Sequence, residues 1–284
     1  MTIERVLVVG TGFMGHGIAQ ACAAAGRAVA LYEPEAARAV AGRDRIAANL
    51  ARSVEKGRLD VAERDAILAR LVVVDALAGA GPVDLAVEAA PEDAALKASI
   101  LASVDAAIPD GAILATNTSS ISIDTLAAGL RPERRPRFLG LHFFSPVPVM
   151  PLVEIVHGSA TGPAVLAEAH AFAAALGKTT VDSADRPGFI VNRMLMPFLA
   201  EAMLVLEEGT ATAADIDTGA KLGLNHPMGP LELADFIGLD VCLGIMRVLE
   251  ADLGARFAPP ASLVAMVEAG DLGRKSGRGF HVYG

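Results

Sequence analysis

The sequence lacks tryptophan, has only two tyrosines and two cysteines, and is poor in basic residues. Its 24 lysines and arginines are outnumbered by 33 acidic residues, which gives a formal net charge of -9. Nucleic acids and anionic membrane surfaces both require clustered basic side chains, so this balance argues against either partner. Cys22 and Cys242 stand far apart, and the sequence therefore predicts neither a disulfide framework nor a metal site.

Long apolar runs are also missing. No uninterrupted apolar stretch reaches ~18 residues, the length that a membrane-spanning helix needs. A strand-like run begins at Val6, which does not fit the pattern of a signal peptide. We therefore expect a cytoplasmic protein with no membrane partner. The 284 residues, 53% of them hydrophobic, are enough for two globular domains.

The first half of the chain alternates β-branched runs with Ala-rich helical stretches. The strand-like runs are ERVLVVG, RAVALYE, VDLAVEAA, GAILATNTS, PRFLGLHFF, LVEIV and TTVDS. Strands separated by helices predict an α/β fold with a mostly parallel sheet and helices on both faces. The longest helical region, residues 35–70, carries EKGR in its middle. We interpret this region as a helical hairpin that protrudes from the sheet.

A glycine-rich turn follows the first strand, in VLVVGTGFMGHGIAQ. In the G-x-G-x-x-G spacing, Gly10 permits a tight turn, Gly12 lets a pyrophosphate approach, and Gly15 lets the helix pack closely. The spacing alone is a weak signal in a chain with 28 glycines, but here a strand precedes it and a helix follows. We predict a Rossmann dinucleotide site and assign the intervening Phe13 and Met14 to it as well.

An acidic residue at the end of the second strand indicates which dinucleotide binds. Glu33 stands where a carboxylate accepts hydrogen bonds from the adenosine ribose and repels a 2′-phosphate. Pro34 and Glu35 follow it, without an arginine that could neutralise such a phosphate. The predicted cofactor is therefore NAD rather than NADP. FAD sites share the fingerprint, but a second flavin signal is not evident.

The strand pattern stops after about Asp185, and apolar residues then recur at helical spacing. Helical stretches begin at GFIVNRMLM, at Ala213, at LADFIGLD and at SLVAMVEAG. Pro187 and Gly188 mark the break. We predict an NAD-binding Rossmann domain over residues 1–185 and an all-helical C-terminal domain over residues 186–284.

His142 and Glu154 lie in an apolar, proline-broken run, LHFFSPVPVMPLVEIV. Both flanks of this run are strand-like, and if they pair antiparallel the two side chains face each other. Such a pair is either a mutually satisfied pair in the core or a general base with its orienting carboxylate. The residues alone leave both interpretations open, and a lone histidine in an apolar run more often has a structural role.

Several motifs, taken in order, resemble the L-3-hydroxyacyl-CoA dehydrogenase family, which includes the bacterial 3-hydroxybutyryl-CoA dehydrogenases. After the glycine fingerprint they are DLAVEAAPEDAALK, NTSS, LHFFSPVPVMPLVEIV, DRPGFIVNR, HPMGPLELADFIGLD and LGRKSGRGF, which span nearly the whole chain. The resemblance implies NAD-linked, reversible oxidation of a (3S)-3-hydroxyacyl-CoA to the 3-ketoacyl-CoA. We expect a short-chain substrate such as 3-hydroxybutyryl-CoA. The resemblance also implies a homodimer formed through the C-terminal domain.

The same resemblance implies the catalytic residues. His142 falls at the family's catalytic histidine and Glu154 at its partner carboxylate. Ser119 and Asn192 fall at the polar contacts to the substrate, and we place Ser119 next to the cofactor as well. Without the resemblance, Ser119 is a plausible helix N-cap and Asn192 a buried amide at the domain junction.

Cofactor and coenzyme A contacts are implied in the same way. Glu92, Lys97 and Lys275 fall at positions that contact NAD in the family. Lys56 falls where the family places a lysine on coenzyme A, and Asn49 where some members carry a serine near it. Taken without the resemblance, Lys56 is an exposed charge at a helix end.

One position departs from the family pattern. Ser145 stands where the family usually has asparagine, three residues after the histidine, and it loses an amide donor. Altered substrate preference or efficiency is the expected consequence. Two alternatives to the acyl-CoA enzyme stay open. One is a dehydrogenase of a free hydroxy acid or sugar acid, like the gulonate dehydrogenase-like proteins, and the other is an inactive binding or structural relative, like λ-crystallin.

Overall fold

The computed structural model describes residues 2–284. The chain divides into two compact units, the first ending at Arg186 and the second spanning Pro187–Gly284. Within residues 2–284, every helix is too short or too polar to cross a bilayer.

An eight-stranded sheet forms the centre of the first unit. Its strands are β1 (Arg5–Val9), β2 (Ala28–Tyr32), β3 (Leu71–Val74), β4 (Leu85–Glu88), β5 (Ile113–Thr116), β6 (Phe138–Phe143), β7 (Leu152–His157) and β8 (Thr179–Ala184). Their order is β3-β2-β1-β4-β5-β6-β7-β8. The first six strands are mutually parallel, β7 runs antiparallel to β6, and β8 is parallel to β7. The predicted α/β class with a mostly parallel sheet is confirmed.

β3 is the strand that the sequence interpretation misses, because that interpretation extends a helix to about Leu71. The strand comprises only LVVV and follows directly on Arg70, the last residue of the preceding helical turn. It lies at the edge of the sheet, and Val72 in it is 57% exposed. A short edge strand without a turn signal before it resembles a helix end in sequence.

Helices pack on the sheet of the first unit. They are α1 (Gly15–Ala24), α2 (Ala36–Glu55), α3 (Val61–Ala69), α4 (Ala94–Ala107), α5 (Ile123–Ala127) and α6 (Pro163–Ala175). Residues of α1, α2, α3 and α6 share one apolar cluster with alternate strand residues such as Val6 and Val8. The intervening Leu7 and Leu114 are buried as well, and α4 and α5 contact β4 and β6. Strand side chains alternate between faces, so helices cover both faces of the sheet.

α2 and α3 form the predicted helical hairpin, but it does not protrude. Ile46, Leu50 and Ile67 are buried in the apolar cluster, and both helices contact α1 and β3. The turn between them contains Gly57 at a φ of 65°. Asp60 then caps α3 by accepting a hydrogen bond from the Glu63 amide. The apolar stripe of α2 therefore holds the hairpin against the sheet.

The second unit is helical. Its helices are α7 (Val191–Glu207), α8 (Ala213–Gly223), α9 (Pro230–Ile237), α10 (Leu239–Leu253) and α11 (Ala261–Glu268). Gly238, at a φ of 106°, divides the predicted third helical stretch into α9 and α10. Apolar residues such as Met196, Leu231 and Leu243 form the core of this unit.

Two buried aspartates fix the C-terminal tail within this unit. Asp235 accepts hydrogen bonds from the backbone amides of Phe280 and His281 and from the hydroxyl of Tyr283. Asp217 accepts one from His281 Nε2 at 2.7 Å. Burial and the hydrogen bond to Asp235 raise the pKa of Tyr283 to about 12. These contacts give the buried carboxylates a structural role.

Candidate active site

The three fingerprint glycines meet different surroundings. Gly10 has a φ of 90°, and a Cβ on it would lie 2.8 Å from the Ala89 carbonyl carbon. A Cβ on Gly15 would overlap the carbonyl oxygen of Gly10, so both of these glycines are required by packing. A Cβ on Gly12 would meet no atom within 4 Å. The turn is therefore closed on its inner side and open at Gly12, where a pyrophosphate would approach the backbone.

Glu33 follows β2 and lies against this turn. One carboxylate oxygen of Glu33 accepts the Thr11 amide at 2.6 Å and the Thr11 hydroxyl at 3.2 Å. The guanidinium of Arg45 donates to the Thr11 carbonyl at 2.8 Å. Sequence reasoning missed Arg45, because it lies on α2, beyond the residues that directly follow Glu33. Arg45 and Glu33 therefore both bind Thr11 of the nucleotide turn.

Lys97 and two glutamates form a compact group of charges where β4 ends. Glu88 is fully buried, and its carboxylate receives the ammonium of Lys97 at 2.8 and 3.1 Å and the hydroxyl of Thr116 at 2.6 Å. The ammonium is also 3.6 Å from Glu92. Lys97, which the resemblance places at an NAD contact, is 1% exposed. Sequence analysis does not identify Glu88, because nothing in the sequence signals its pairing with a lysine on α4.

Glu92 holds the turn that contains Ser119. A single oxygen of Glu92 accepts the amides of Ser119 and Ser120 at 2.9 and 3.0 Å and the hydroxyl of Thr118 at 2.7 Å. Burial raises the pKa of Glu92, but the charge of Lys97 and these hydrogen bonds outweigh it and hold the pKa below its ordinary value. The structure thus joins two predicted site residues, Glu92 and Ser119, in one contact.

His142 and Glu154 face each other across β6 and β7. The antiparallel register pairs them directly, as expected, and His142 Nδ1 lies 2.5 Å from a Glu154 carboxylate oxygen. His142 is 6% exposed and Glu154 is fully buried. Because the carboxylate accepts at Nδ1, Nδ1 carries a proton and Nε2 is the nitrogen that can take another. The next residue, Phe143, donates its amide to the Asn117 side chain at 2.9 Å, which fixes the strand.

The loop after β6 connects this pair, and a lysine holds it. The Ser145–Pro146 peptide bond is cis, and Ser145 is half-buried. The ammonium of Lys178 donates to the carbonyls of Val147 and Met150 at 2.6 and 2.8 Å. Burial lowers the pKa of Lys178. Sequence reasoning missed Lys178, because nothing near it in the sequence indicates that it reaches this loop.

Asn49, a predicted coenzyme A contact, lies in the C-terminal half of α2, and Lys56, the other, directly follows the helix. Lys56 is the exposed C-cap residue of the helix. Asn49 is half-buried, with its amide nitrogen 3.4 Å from the Gln20 side chain and its oxygen bonded to Arg52. The end of the helix therefore carries two basic side chains, those of Arg52 and Lys56.

Two predicted site residues belong to the second unit. Asn192 is buried in the first turn of α7. Lys275 lies in the short 3-10 turn Arg274–Ser276, and its ammonium donates to Asp240 at 2.5 and 2.6 Å. The contact of Lys275 with Asp240 lies within the second unit. Among residues 2–284, no three His, Cys, Asp or Glu side chains are grouped so that they could hold a metal ion.

The polar residues of the first unit share one edge of the sheet. Glu88 pairs with Thr116 across β4 and β5, and Thr116 pairs with Gly140 of β6. Ser119 follows β5 by a few residues and His142 follows Gly140 by two. This is the carboxyl edge of parallel strands, where open α/β sheets bind their ligands.

Family models and known proteins match both units. A model for the NAD-binding domain of 3-hydroxyacyl-CoA dehydrogenases matches residues 5–186, and the model for their C-terminal domain matches residues 188–283. The chain belongs to the 3-hydroxyacyl-CoA dehydrogenase family. Its first unit is therefore an NAD-binding domain, and NAD is its cofactor. The open space at Gly12 and the carboxylate of Glu33 beside the turn fit that cofactor.

Three similar members of this family come from bacteria. A 3-hydroxybutyryl-CoA dehydrogenase of Mycobacterium tuberculosis is 45% identical over 284 residues, covering 99% of each chain. A probable 3-hydroxybutyryl-CoA dehydrogenase of Bacillus subtilis is 44% identical, covering 100% of this chain and 98% of the relative. The crystal structure of (S)-3-hydroxybutyryl-CoA dehydrogenase from Ralstonia eutropha has a TM-score of 0.94 and 43% identity, with 100% of both chains covered.

Proposed function

We propose that this protein catalyses the reversible, NAD-dependent oxidation of (3S)-3-hydroxyacyl-CoA to 3-ketoacyl-CoA, with short chains such as 3-hydroxybutyryl-CoA preferred. The observation that carries the proposal is the pairing of His142 with Glu154 at the sheet edge of an NAD-binding domain. The names of the most similar relatives support the choice of a short acyl chain.

Oxidation of the 3-hydroxyl group requires the loss of a hydride and a proton. Bound NAD supplies the hydride acceptor. His142 Nε2 takes the hydroxyl proton as general base, since imidazole exchanges a proton near neutral pH. Glu154 keeps Nδ1 protonated at 2.5 Å and stabilises the imidazolium that forms. In the reverse direction, the imidazolium returns the proton to the 3-keto oxygen.

Ser119 and Asn192 are the proposed polar contacts to the substrate. The hydroxyl of Ser119 can hydrogen-bond the 3-oxygen while Glu92 fixes its backbone amide. Asn192 offers an amide donor for a carbonyl oxygen of the substrate. Asn49 and Lys56 are the proposed contacts to the coenzyme A moiety, where an ammonium on an exposed helix end suits a phosphate.

Several residues are proposed to contact NAD. They are Gly10, Gly12, Phe13, Met14, Gly15, Glu33, Glu92, Ser119 and Lys275. The backbone around Gly12 offers amides to the pyrophosphate, and Phe13, 76% exposed, offers a ring surface beside it. The resemblance also places Lys97 at an NAD contact, and its ammonium lies 3.6 Å from Glu92 of this set.

The experiment that tests the function is a panel of acyl-CoA chain lengths with NAD, followed by NADH absorbance. The (3S) and (3R) forms of 3-hydroxybutyryl-CoA and free 3-hydroxybutyrate serve as matched substrates. We expect turnover of the (3S) thioester, with the highest kcat/KM at short chains. Turnover of a free acid without turnover of any acyl-CoA would reject the proposal in favour of a hydroxy-acid dehydrogenase.

We also propose that the protein is a cytoplasmic homodimer formed through the second unit. Large apolar residues exposed on that unit support this assembly, among them Leu222 and Val282, each 82% exposed, and Leu224, 61% exposed. Sedimentation velocity tests it: a dimer is expected, and a monomer at micromolar concentration would contradict it.

A further inference from the structure

His16 is the first side chain of α1 after the fingerprint glycines, and it has no task in the chemistry described above. Its Nδ1 lies 2.6 Å from the carbonyl oxygen of Gly12. We propose that His16 is a positioning residue of the nucleotide turn, which holds the Gly12 carbonyl so that the Phe13 amide faces the pyrophosphate of NAD. This inference rests on the proposed contacts of the turn with NAD and not on the identity of the substrate.

The first step concerns the proton in this contact. A carbonyl oxygen only accepts hydrogen bonds, so Nδ1 of His16 carries the proton and donates it. The backbone amide of His16 reaches the same oxygen at 3.4 Å, which is long for such a bond. The side chain makes the closer of the two contacts, and it is therefore the main restraint on the Gly12 carbonyl.

The second step follows from the planarity of the peptide unit. In a trans peptide, the C=O and N–H bonds point in opposite directions. Within residues 2–284 only the Ser145–Pro146 bond is cis, so the peptide between Gly12 and Phe13 is trans. With the Gly12 carbonyl bound to His16, the Phe13 amide therefore points away from the imidazole.

The preceding peptide of the turn is held in the same way. Arg45 donates to the Thr11 carbonyl at 2.8 Å, which turns the Gly12 amide away from the guanidinium. Side chains thus bind two successive carbonyls of the turn. The two amides that belong to these peptides, those of Gly12 and Phe13, point away from the side chains that hold them.

The third step concerns what these amides can bind. The Thr11 amide is already paired with Glu33 at 2.6 Å. The amides of Gly12 and Phe13 have no acceptor among residues 2–284, and the space beside Gly12 is open. N–H donors that precede a helix favour an anion, and the pyrophosphate is the anionic part of NAD. The side chain of His16 therefore acts on the cofactor through the backbone.

Substitutions at His16 can separate the two ring nitrogens. The amide nitrogen of asparagine is attached to Cγ, as Nδ1 is, whereas the amide of glutamine extends to the position of Nε2. His16→Asn therefore keeps a donor for the Gly12 carbonyl, and His16→Gln does not. A histidine that contacts NAD directly would use Nε2, because Gly12 occupies Nδ1, and it would give the opposite order of affinities.

The experiment measures NADH binding to the full-length protein. The dissociation constant, read from NADH fluorescence, is determined for the wild type, His16→Ala, His16→Asn and His16→Gln. We expect His16→Ala and His16→Gln to bind NADH about three- to tenfold more weakly, the value of one hydrogen bond. His16→Asn should stay within about twofold of the wild type. Wild-type affinity in His16→Ala, or an affinity in His16→Asn as weak as in His16→Ala, would overturn the proposal.

Fragments of the cofactor supply a readout that a general disturbance of the site would not reproduce. ADP carries a pyrophosphate and adenosine does not, and both are measured as competitors of NADH. In His16→Ala, the affinity for ADP should fall by the same factor as that for NADH, and the affinity for adenosine should not change. An equal loss for adenosine would show that the substitution distorts the whole nucleotide site, which contradicts the assigned role.

Controls separate this inference from folding and from the proposed function. His170→Ala removes a histidine whose Nδ1 lies 2.8 Å from the Thr180 hydroxyl, beside the edge strand β8, and it should leave NADH affinity unchanged. Histidine is not a strong helix former, so alanine or glutamine at position 16 should not weaken α1, and thermal unfolding checks this. If His16→Ala does not fold, His16→Asn compared with His16→Gln still decides the role. NADH binding needs no substrate, so a wild type that turns over no acyl-CoA rejects the proposed function while this test stands.

Discussion

His142 and Glu154 form one buried pair in the first unit, and Lys97 and Glu88 form another. Both place a carboxylate that is fully buried against a nitrogen within 2.5 to 2.8 Å, and both stand at the carboxyl edge of the sheet. They differ in the base: imidazole exchanges a proton near neutral pH, whereas a lysine ammonium does so only well above it. The two pairs are therefore similarly buried, but only the histidine pair supplies the proton acceptor of the proposed reaction.

The largest expected effect comes from removing the proton acceptor. His142→Gln should lower kcat by at least ~100-fold, because no other group takes the hydroxyl proton. NADH affinity should stay near the wild-type value. Steady-state rates and a fluorescence titration check both. His170→Gln is the matched control, since His170 also pairs with a carboxylate, Asp182, at 2.9 Å. An unchanged kcat in His142→Gln would show that His142 is not the general base.

The next effect concerns the orienting carboxylate. Glu154→Gln keeps the size of the side chain but offers no charge to the imidazolium, so kcat should fall by about 10-fold or more with little change in NADH affinity. Comparing kcat with the NADH dissociation constant measures this. If Glu154→Gln instead weakened NADH binding and left kcat unchanged, Glu154 would act on the cofactor site and not on His142.

A smaller effect is expected at the cofactor ribose. Glu33→Ala removes the carboxylate that lies against Thr11, and it should weaken NAD binding by about 10-fold, the value of one or two hydrogen bonds to a charged group. The preference for NAD over NADP should decrease as well, because the carboxylate no longer repels a 2′-phosphate. Dissociation constants for NADH and NADPH test this. Tighter binding of NADPH than NADH by the wild type would contradict the role of Glu33.

The smallest effect is expected at Ser145. Ser145→Asn restores the amide that the family usually has and should change kcat/KM by only a few-fold, in a way that depends on acyl chain length. The panel of acyl-CoA substrates measures it. A uniform change at every chain length would show that Ser145 affects the reaction itself and not substrate preference.

The sequence predicts those features that local pattern determines. The glycine turn is predictable because a fixed spacing between a strand and a helix allows one backbone geometry. The facing of His142 and Glu154 is predictable because antiparallel strands around a short loop constrain the register. The break into a helical C-terminal region follows from the change in apolar period after Asp185.

The rest depends on contacts between segments that are distant in sequence. β3 is missed because four apolar residues after a helix carry no period of their own. The hairpin of α2 and α3 packs on α1 through the buried residues Ile46 and Leu50. The sequence does not indicate which surface covers these two side chains. The pairing of Glu88 with Lys97 depends on how α4 packs against β4, which the motif spacing does not reveal.

The pH dependence of the oxidation rate tests the difference between the two pairs most directly. Stopped-flow rates of NADH formation from (3S)-3-hydroxybutyryl-CoA are compared across pH for the wild type, His142→Gln and Lys97→Met. The account predicts that the wild type loses rate at low pH, because a protonated base cannot accept the hydroxyl proton, that His142→Gln lacks this loss, and that Lys97→Met retains it. A loss of rate at low pH that persists unchanged in His142→Gln, or that is absent in Lys97→Met, would contradict it.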